Sequence, residues 1–354
     1  MSTNEYVAVD YRINSCLTAA NSYRVLSGWE EFEANLLEEM TDSVRQSVGR
    51  CYMAARLNNS ADELWMVPFH MNEEKLERLL AAVEYAMDNP VDRGAFVMPL
   101  DVVSDGSGRA FVMRPVDREA TLPMRTFMPN VPGPRWKIAL NIFRRVQQLH
   151  GMGLTSNGIS REQMRVSPDT CEVKLWLNEF LTMLEGSEKP ENRSRHFGFL
   201  SIPLATEQVC DREGIVITGA MRDIYSAAVS AFYLIMHSHP FVGSDFYRLV
   251  HSDYLNSYQN WPRYILEPGT ENNLGNQMLS RAIDDQWHRT TDRLKKLFDG
   301  IFLAVTHPES HWNPYAGYWD LQTWIEALEA DAVRNDNDDS RGEYHFENEM
   351  YHLV

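Results

Sequence analysis

Apolar positions recur at two different periods along this chain, and the change of period outlines its elements. Ser27 followed by Glu30 has the spacing of a capping box, and Trp29, Phe32, Leu36, Leu37 and Met40 then repeat at helical intervals. From about Gly49 the period shortens to that of a strand. Arg50-Cys51-Tyr52-Met53-Ala54, a polar Asn58-Asn59-Ser60 turn and Leu64-Trp65-Met66-Val67 predict a hairpin. Asn72 can cap a helix that carries Leu76, Leu79, Leu80, Val83 and Met87 on one face and stops at Asn89-Pro90. A second hairpin is expected from Ala95–Val103 and Arg109–Val116, joined through Ser104-Asp105-Gly106-Ser107-Gly108.

Beyond Pro134 helices dominate. Trp136, Ala139, Ile142, Phe143, Val146 and Leu149 share one helical face, with Pro134 near its first turn. Arg165-Val166 and Val173-Lys174-Leu175-Trp176 flank the turn Ser167-Pro168-Asp169-Thr170 and predict a small hairpin. Ile224–Met236 is apolar almost all round, so a helix there is buried on every side and is the hub of its domain. Further helices are expected over Asp285–Val305 and Trp319–Ala330. The last 26 residues, 329–354, hold eight acidic and two basic side chains, the composition of a solvated acidic tail.

Composition narrows the function. The 354 residues are 44% hydrophobic and 23% charged, which suits one large or two medium folded domains. A net charge of −17 opposes binding to nucleic acid or anionic lipid. The longest apolar run is too short to span a bilayer, which needs about 20 residues, and the N-terminus lacks a charged-then-apolar signal pattern. A cytoplasmic protein is therefore expected. Cys16, Cys51, Cys171 and Cys210 form no CxxC pair, so neither a zinc knuckle nor a disulfide framework is indicated. His307 and His311 stand four apart without an HExxH glutamate and are read, with His237 and His239, as structural. Met66, Met71, Met98 and Met113 read as core. Trp312, Tyr315, Tyr318 and Trp319 make an aromatic cluster that is either buried under the last helix or a surface for a protein partner.

Several stretches of local text resemble the bacterial protein-kinase family. Gln147-Gln148-Leu149-His150-Gly151-Met152-Gly153-Leu154 looks like the long helix that runs into the catalytic loop. Met221-Arg222-Asp223-Ile224-Tyr225-Ser226-Ala227-Ala228-Val229 looks like the start of the buried central helix, and His237-Ser238-His239-Pro240-Phe241-Val242-Gly243 like the HPF segment after it. Ala205-Thr206-Glu207 is similar to the Ala-Pro-Glu that closes the activation segment. The resemblance implies a bilobal, protein-kinase-like α+β fold with a small β-rich N-lobe carrying one main helix and a larger helical C-lobe. It divides the chain into an N-terminal extension with a helix (1–45), an N-lobe (46–117), a C-lobe (118–328) and the acidic tail (329–354).

The chemistry of that family is missing from these positions. Laid without gaps on Ser156–Gln163, the proton-accepting Asp falls on Gly158 and the metal-binding Asn on Gln163; fourteen residues on, the second metal ligand falls on Leu177. A slip of one or two residues reaches Asn178 or Glu179, weak cofactor candidates of which only the glutamate is an anionic oxygen donor. Ser43–Tyr52 holds the single glycine Gly49 where a phosphate-covering loop needs three, and Pro68 or a neighbour stands where the strand-three lysine belongs. Loss of the base alone removes ~10²- to 10⁴-fold. Two structural positions remain. Asp223 matches the aspartate that braces the catalytic loop, and Glu207 matches the glutamate of a buried ion pair whose partner is Arg222, Arg263 or Arg281.

The expected function is that of a catalytically inactive pseudokinase, a scaffold or allosteric regulator that binds a protein, with kinases and phosphatases as partner classes. No cofactor is expected, ATP held without catalysis being the exception. The alternatives are an atypical ATP-dependent transferase with its chemistry moved to Glu179, Glu162 or Asp169, and a nucleotide or ligand sensor.

Overall fold

A computed structural model describes residues 10–12, 22–27, 52–56, 59–69, 73–88, 94–97, 99–104, 109–113, 122–124, 132–159, 163–177, 181–184, 201–241, 258–267 and 277–336. The architecture is mixed α+β. The chain divides into two compact units: Met1–Pro123, Glu162–Arg165 and Lys174–Met183 form the first, and Met124–Arg161, Val166–Val173 and Leu184–Val354 the second. The helix expected over residues 29–40, Met71, Met98 and the tail beyond residue 336 lie outside the described residues.

In the first unit six strands close a barrel: β1 (Asp10–Arg12), β2 (Ser22–Ser27), β3 (Tyr52–Arg56), β4 (Asn59–Phe69), β6 (Pro99–Ser104) and β7 (Arg109–Met113), in the order β1-β2-β3-β4-β7-β6. Both hairpins read from the sequence are present. Tyr52 pairs with Met66 and Met53 with Trp65 in the first, and Val102 with Phe111 in the second, cross-strand contacts of the kind that stabilise a sheet by ~0.2–1 kcal/mol each. What the pattern did not convey is closure. Strands β1 and β2 come from the stretch read as an N-terminal extension, and the pair Arg12 with Ser104 joins β1 to β6.

Helix α1 (Glu73–Asp88) also belongs to this unit and lies against β6 and β12 (Thr182–Met183). Its Leu79, Ala82, Val83 and Ala86 are buried while Glu74, Glu77 and Tyr85 face outward, the amphipathic spacing expected of it. A smaller sheet runs β5 (Phe96–Val97), β11 (Val173–Trp176), β10 (Met164–Val166), β8 (Leu122–Pro123).

The second unit, which includes the short strand β9 (Leu154–Thr155), is built round α4 (Gly219–Met236), which buries nearly its whole circumference. Thr218 caps it by accepting the Met221 N–H, and His237 ends it in the left-handed region at φ 56°. Phe232 meets Phe298 edge-on at 5.2 Å and Phe302 at 5.4 Å, both on α6 (Asp292–Thr306). After the short α7 (Pro308–His311) comes the last described helix, α8 (Leu321–Asp336), on which α2 (Pro132–Gly151) packs through Phe143 stacked on Trp324 at 4.8 Å.

Two boundaries differ from the sequence reading. The single helix expected over Asp285–Val305 is two, α5 (Gln277–Arg289) and α6, broken at Thr290-Thr291. Thr290 turns its hydroxyl back onto the Gln286 carbonyl at 2.8 Å, while the Thr291 hydroxyl accepts the Leu294 N–H and starts α6. The α8 helix likewise runs past position 329 to Asp336, with Asp331, Ala332 and Asn335 buried. Of the ten charges that suggested a tail, Glu329 and Arg334 lie on its solvent face and Asp331 is buried. Among the described residues no helix is long and apolar enough to cross a membrane.

Candidate functional site

The described segment that matches the catalytic loop begins where α2 ends. Gly153 donates to the His150 carbonyl at 2.9 Å and turns the chain at φ 73°, so the backbone leaves the helix into residues 154–159. Two further left-handed residues, Asn157 at φ 56° and Gly158 at φ 110°, curl it inward. Asparagine tolerates the first conformation, and the second favours glycine.

The loop closes on Asp223, which has no exposed surface. Its Oδ1 accepts the Gly158 N–H at 2.6 Å; its Oδ2 accepts the Ser156 N–H at 3.1 Å and the Thr155 hydroxyl at 2.6 Å and lies 3.0 Å from His150 Nε2. The Ile159 N–H is taken by the Ser226 hydroxyl at 2.8 Å, one turn further along α4. Hydrogen bonds to a charged group are worth ~1.5–3 kcal/mol each, and a set of this size is what offsets placing a carboxylate out of water. Gly219 fits beneath the loop because it has no side chain: an ideal Cβ there would stand 2.7 Å from Asn157 Oδ1 and 2.8 Å from Thr155 Cγ2.

A second brace holds the segment before and within α3 (Leu204–Glu213). Glu207 Oε1 accepts from Arg222 Nη2 at 3.2 Å, and Arg222 Nη1 donates to the Ile217 carbonyl at 2.7 Å. Of the three arginines left open by the sequence, Arg222 makes this pair. Around it the Thr206 hydroxyl donates to the Val305 carbonyl at 2.8 Å, and Gln259 accepts the Leu204 N–H at 3.0 Å. Tyr258 donates to the Ser201 carbonyl at 2.7 Å and lies 2.8 Å from the Tyr225 hydroxyl. Burial pushes the Tyr225 phenol far above its ordinary range, so it stays a neutral hydrogen-bonding group.

Gly158 thus contributes only a backbone amide, and that amide is spent on Asp223. In the first unit, Gln163 is buried and its amide donates to the Trp176 carbonyl at 3.3 Å, while Leu177 is 1% exposed and gives its N–H to the Val97 carbonyl. Pro68 lies opposite Ala110 of β7. Asn178, Glu179 and Glu162 lie outside the described residues. Asp169 is exposed on the turn that Cys171 closes by donating to the Ser167 carbonyl.

The histidines are engaged locally. His307 Nε2 lies 2.6 Å from Glu267 Oε1, and His311 Nδ1 is 2.7 Å from the Ser310 hydroxyl. His239 takes the Phe241 N–H on Nδ1 at 3.2 Å. Burial, helped by the nearby Arg135 charge, holds the His237 pKa down at about 3, so it is neutral at physiological pH. Among the described residues no group of three or more His, Cys, Asp or Glu side chains is placed to hold a metal ion.

Sequence reasoning missed His150, Thr155 and Ser226 as partners of the loop, and Tyr258 and Gln259 as anchors of the segment at 201–204. His150 lay inside a quoted motif, but its partner is 73 positions away, and no local period signals such a contact. No family model matches the chain, and comparison with curated proteins gives no significant match.

Proposed function

We propose that the protein is a catalytically inactive pseudokinase of the protein-kinase-like, bilobal type, which acts in the cytoplasm as a protein-binding scaffold or allosteric regulator. The observation that carries this reading is the loop at 155–159: its fold is held by three hydrogen bonds to buried Asp223, yet the position aligned with the proton acceptor is Gly158, which has no side chain. A loop maintained in shape without the group that reacts fits a role in which shape is recognised. The pairing of Glu207 with Arg222 supports it in the same way, as a brace retained apart from chemistry. Leu177, buried and apolar, stands where a second metal ligand would be required. Kinases and phosphatases are the proposed partner classes, by analogy with the family resemblance alone.

Calorimetry and thermal shift with ATP and ADP, each in magnesium, manganese and EDTA, test the reading. The expected result is no shift in any condition, whereas a ligand at 100 times its Kd would stabilise the fold by ~2.7 kcal/mol. A metal-dependent shift abolished by Glu179→Ala would overturn it in favour of an ATP-dependent transferase, and a metal-independent shift in favour of a nucleotide sensor.

A further inference from the structure

Between α6 and α8 the chain builds a turn tied by several hydrogen bonds of its own. Tyr318 is its centre. The phenol ring seats over Gly300, where an ideal Cβ would come within 2.7 Å of ring carbon Cδ1. Its hydroxyl accepts the Asn313 N–H at 3.0 Å and donates to the His311 carbonyl at 2.9 Å, and its own carbonyl takes the Trp324 indole N–H at 2.9 Å. Asn313 Oδ1 accepts the Tyr315 N–H at 3.0 Å and fixes the tip. Trp319 packs against Tyr318 at 5.3 Å and against Trp312 at 5.2 Å. Trp312 is half-buried, and Tyr315, on the tip of the same turn, is 94% exposed.

A large ring held out in water on a fixed turn does nothing for the fold, since its side chain gains no burial. The electrostatic setting says what it suits. From Leu297 to Val333 the sequence holds Asp299, Glu309, Asp320, Glu326, Glu329 and Asp331 and neither lysine nor arginine. Glu326 and Glu329 are paired with Arg293 and Arg144, and Asp331 with Thr291. Glu309 and Asp320, both exposed, precede and follow the aromatic turn in sequence; Asp320 Oδ2 already accepts the Thr323 N–H at 2.9 Å and the Thr323 hydroxyl at 2.5 Å, so Glu309 is the carboxylate offered to a partner. Aromatic faces attract cations through the ring quadrupole, and a neighbouring carboxylate adds to that attraction.

We propose that the turn Trp312–Trp319 is a docking surface for an arginine side chain presented by a protein partner, with the guanidinium over the exposed Tyr315 ring and Glu309 as the carboxylate that attracts it. Arginine suits it better than lysine because a planar, weakly hydrated guanidinium stacks on an aromatic face and bonds a carboxylate from its edge at once. The proposal rests on the protein-binding part of the reading above and names the chemistry of the partner. It makes no use of nucleotide.

The test titrates the full chain with the capped peptide acetyl-(Arg-Gly)4-amide and with its glutamine counterpart, by calorimetry in low and high salt. The expected result is salt-sensitive binding of the arginine peptide, none of the glutamine peptide, and binding about three- to thirtyfold weaker in Tyr315→Ala, the range for cation–π contacts. Because the Tyr315 side chain is exposed, that variant should melt with the wild type. Failure of the arginine peptide to bind, or equal binding to wild type and Tyr315→Ala, would overturn the proposal, the latter by showing only attraction to an acidic chain. Nucleotide titration of the same sample is read separately, so loss of the pseudokinase reading and loss of this one are distinguishable.

Discussion

Nε2 of His150 stands 3.0 Å from Oδ2 of Asp223, joining the last turn of the helix before the loop to the first turns of the hub helix. The imidazole is 12% exposed and the carboxyl group not at all. Together with the amides of Ser156 and Gly158, the histidine makes the loop dependent on one side chain.

Replacing that side chain should therefore unfasten the loop before it unfolds the domain. Asp223→Asn keeps the shape but turns an acceptor into a donor facing N–H groups, and we expect a loss of about 2–4 kcal/mol in urea unfolding. Hydrogen exchange should rise at the amides of Ser156 and Gly158. Unchanged protection at both would show that the loop is held otherwise.

The Glu207–Arg222 pair has a different character, with the glutamate side chain 26% and the arginine 7% exposed. A double-mutant cycle with Glu207→Gln and Arg222→Met should give a coupling of about 1 kcal/mol. Arg222→Met alone should be the more damaging change, because it also frees the Ile217 carbonyl.

Alanine is ordinarily a better helix residue than glycine by ~1 kcal/mol, yet Gly219→Ala should destabilise. The added Cβ would meet Asn157 Oδ1 at 2.7 Å and Thr155 on the other side. An expected cost of about 1–3 kcal/mol, read by thermal melting, follows from overpacking. A stabilised variant would mean the loop has room to retreat.

Stability should also carry a mark of Asp299, whose pKa burial raises to about 6, against the opposing hydrogen bond from Tyr264 and the charge of Lys295. The folded state holds its proton more tightly than the unfolded one. Its contribution is thus fully present below the ordinary aspartate value of 3.8 and is lost as pH rises through about 6. Asp299→Asn should raise the melting temperature at pH 7 more than at pH 4. His237 acts in the opposite sense, since its pKa of about 3 means stability falls as acid forces a proton onto a buried ring. Equal shifts for Asp299→Asn at both pH values would refute the assignment.

How much of this could be read from the chain depends on the range of the contact. Hairpins, the α1 face and the hub helix follow from periods of two and 3.6 within a single segment, and they were legible. The break at Thr290-Thr291 was not, because apolar spacing continues across it and only two hydroxyls turned to backbone groups reveal it. Asp223 was legible as a position in a motif, whereas the partners it gathers come from two other segments. Which arginine meets Glu207 was decided by helix geometry, since Arg222 is placed by α4 and not by proximity in sequence.

The pairing of Arg12 with Ser104 has a consequence for how the first unit assembles and fails. A strand near the N-terminus must wait for one roughly a hundred positions later, a non-local closure of the kind that slows folding. Until it forms β1 and β6 stand as open edges, and if β1 and β2 are cut away β3 and β6 do, with unsatisfied backbone groups facing any chain that comes near. Shortening the protein at that end should therefore yield aggregates joined strand to strand, while the helices of the second unit keep their own core.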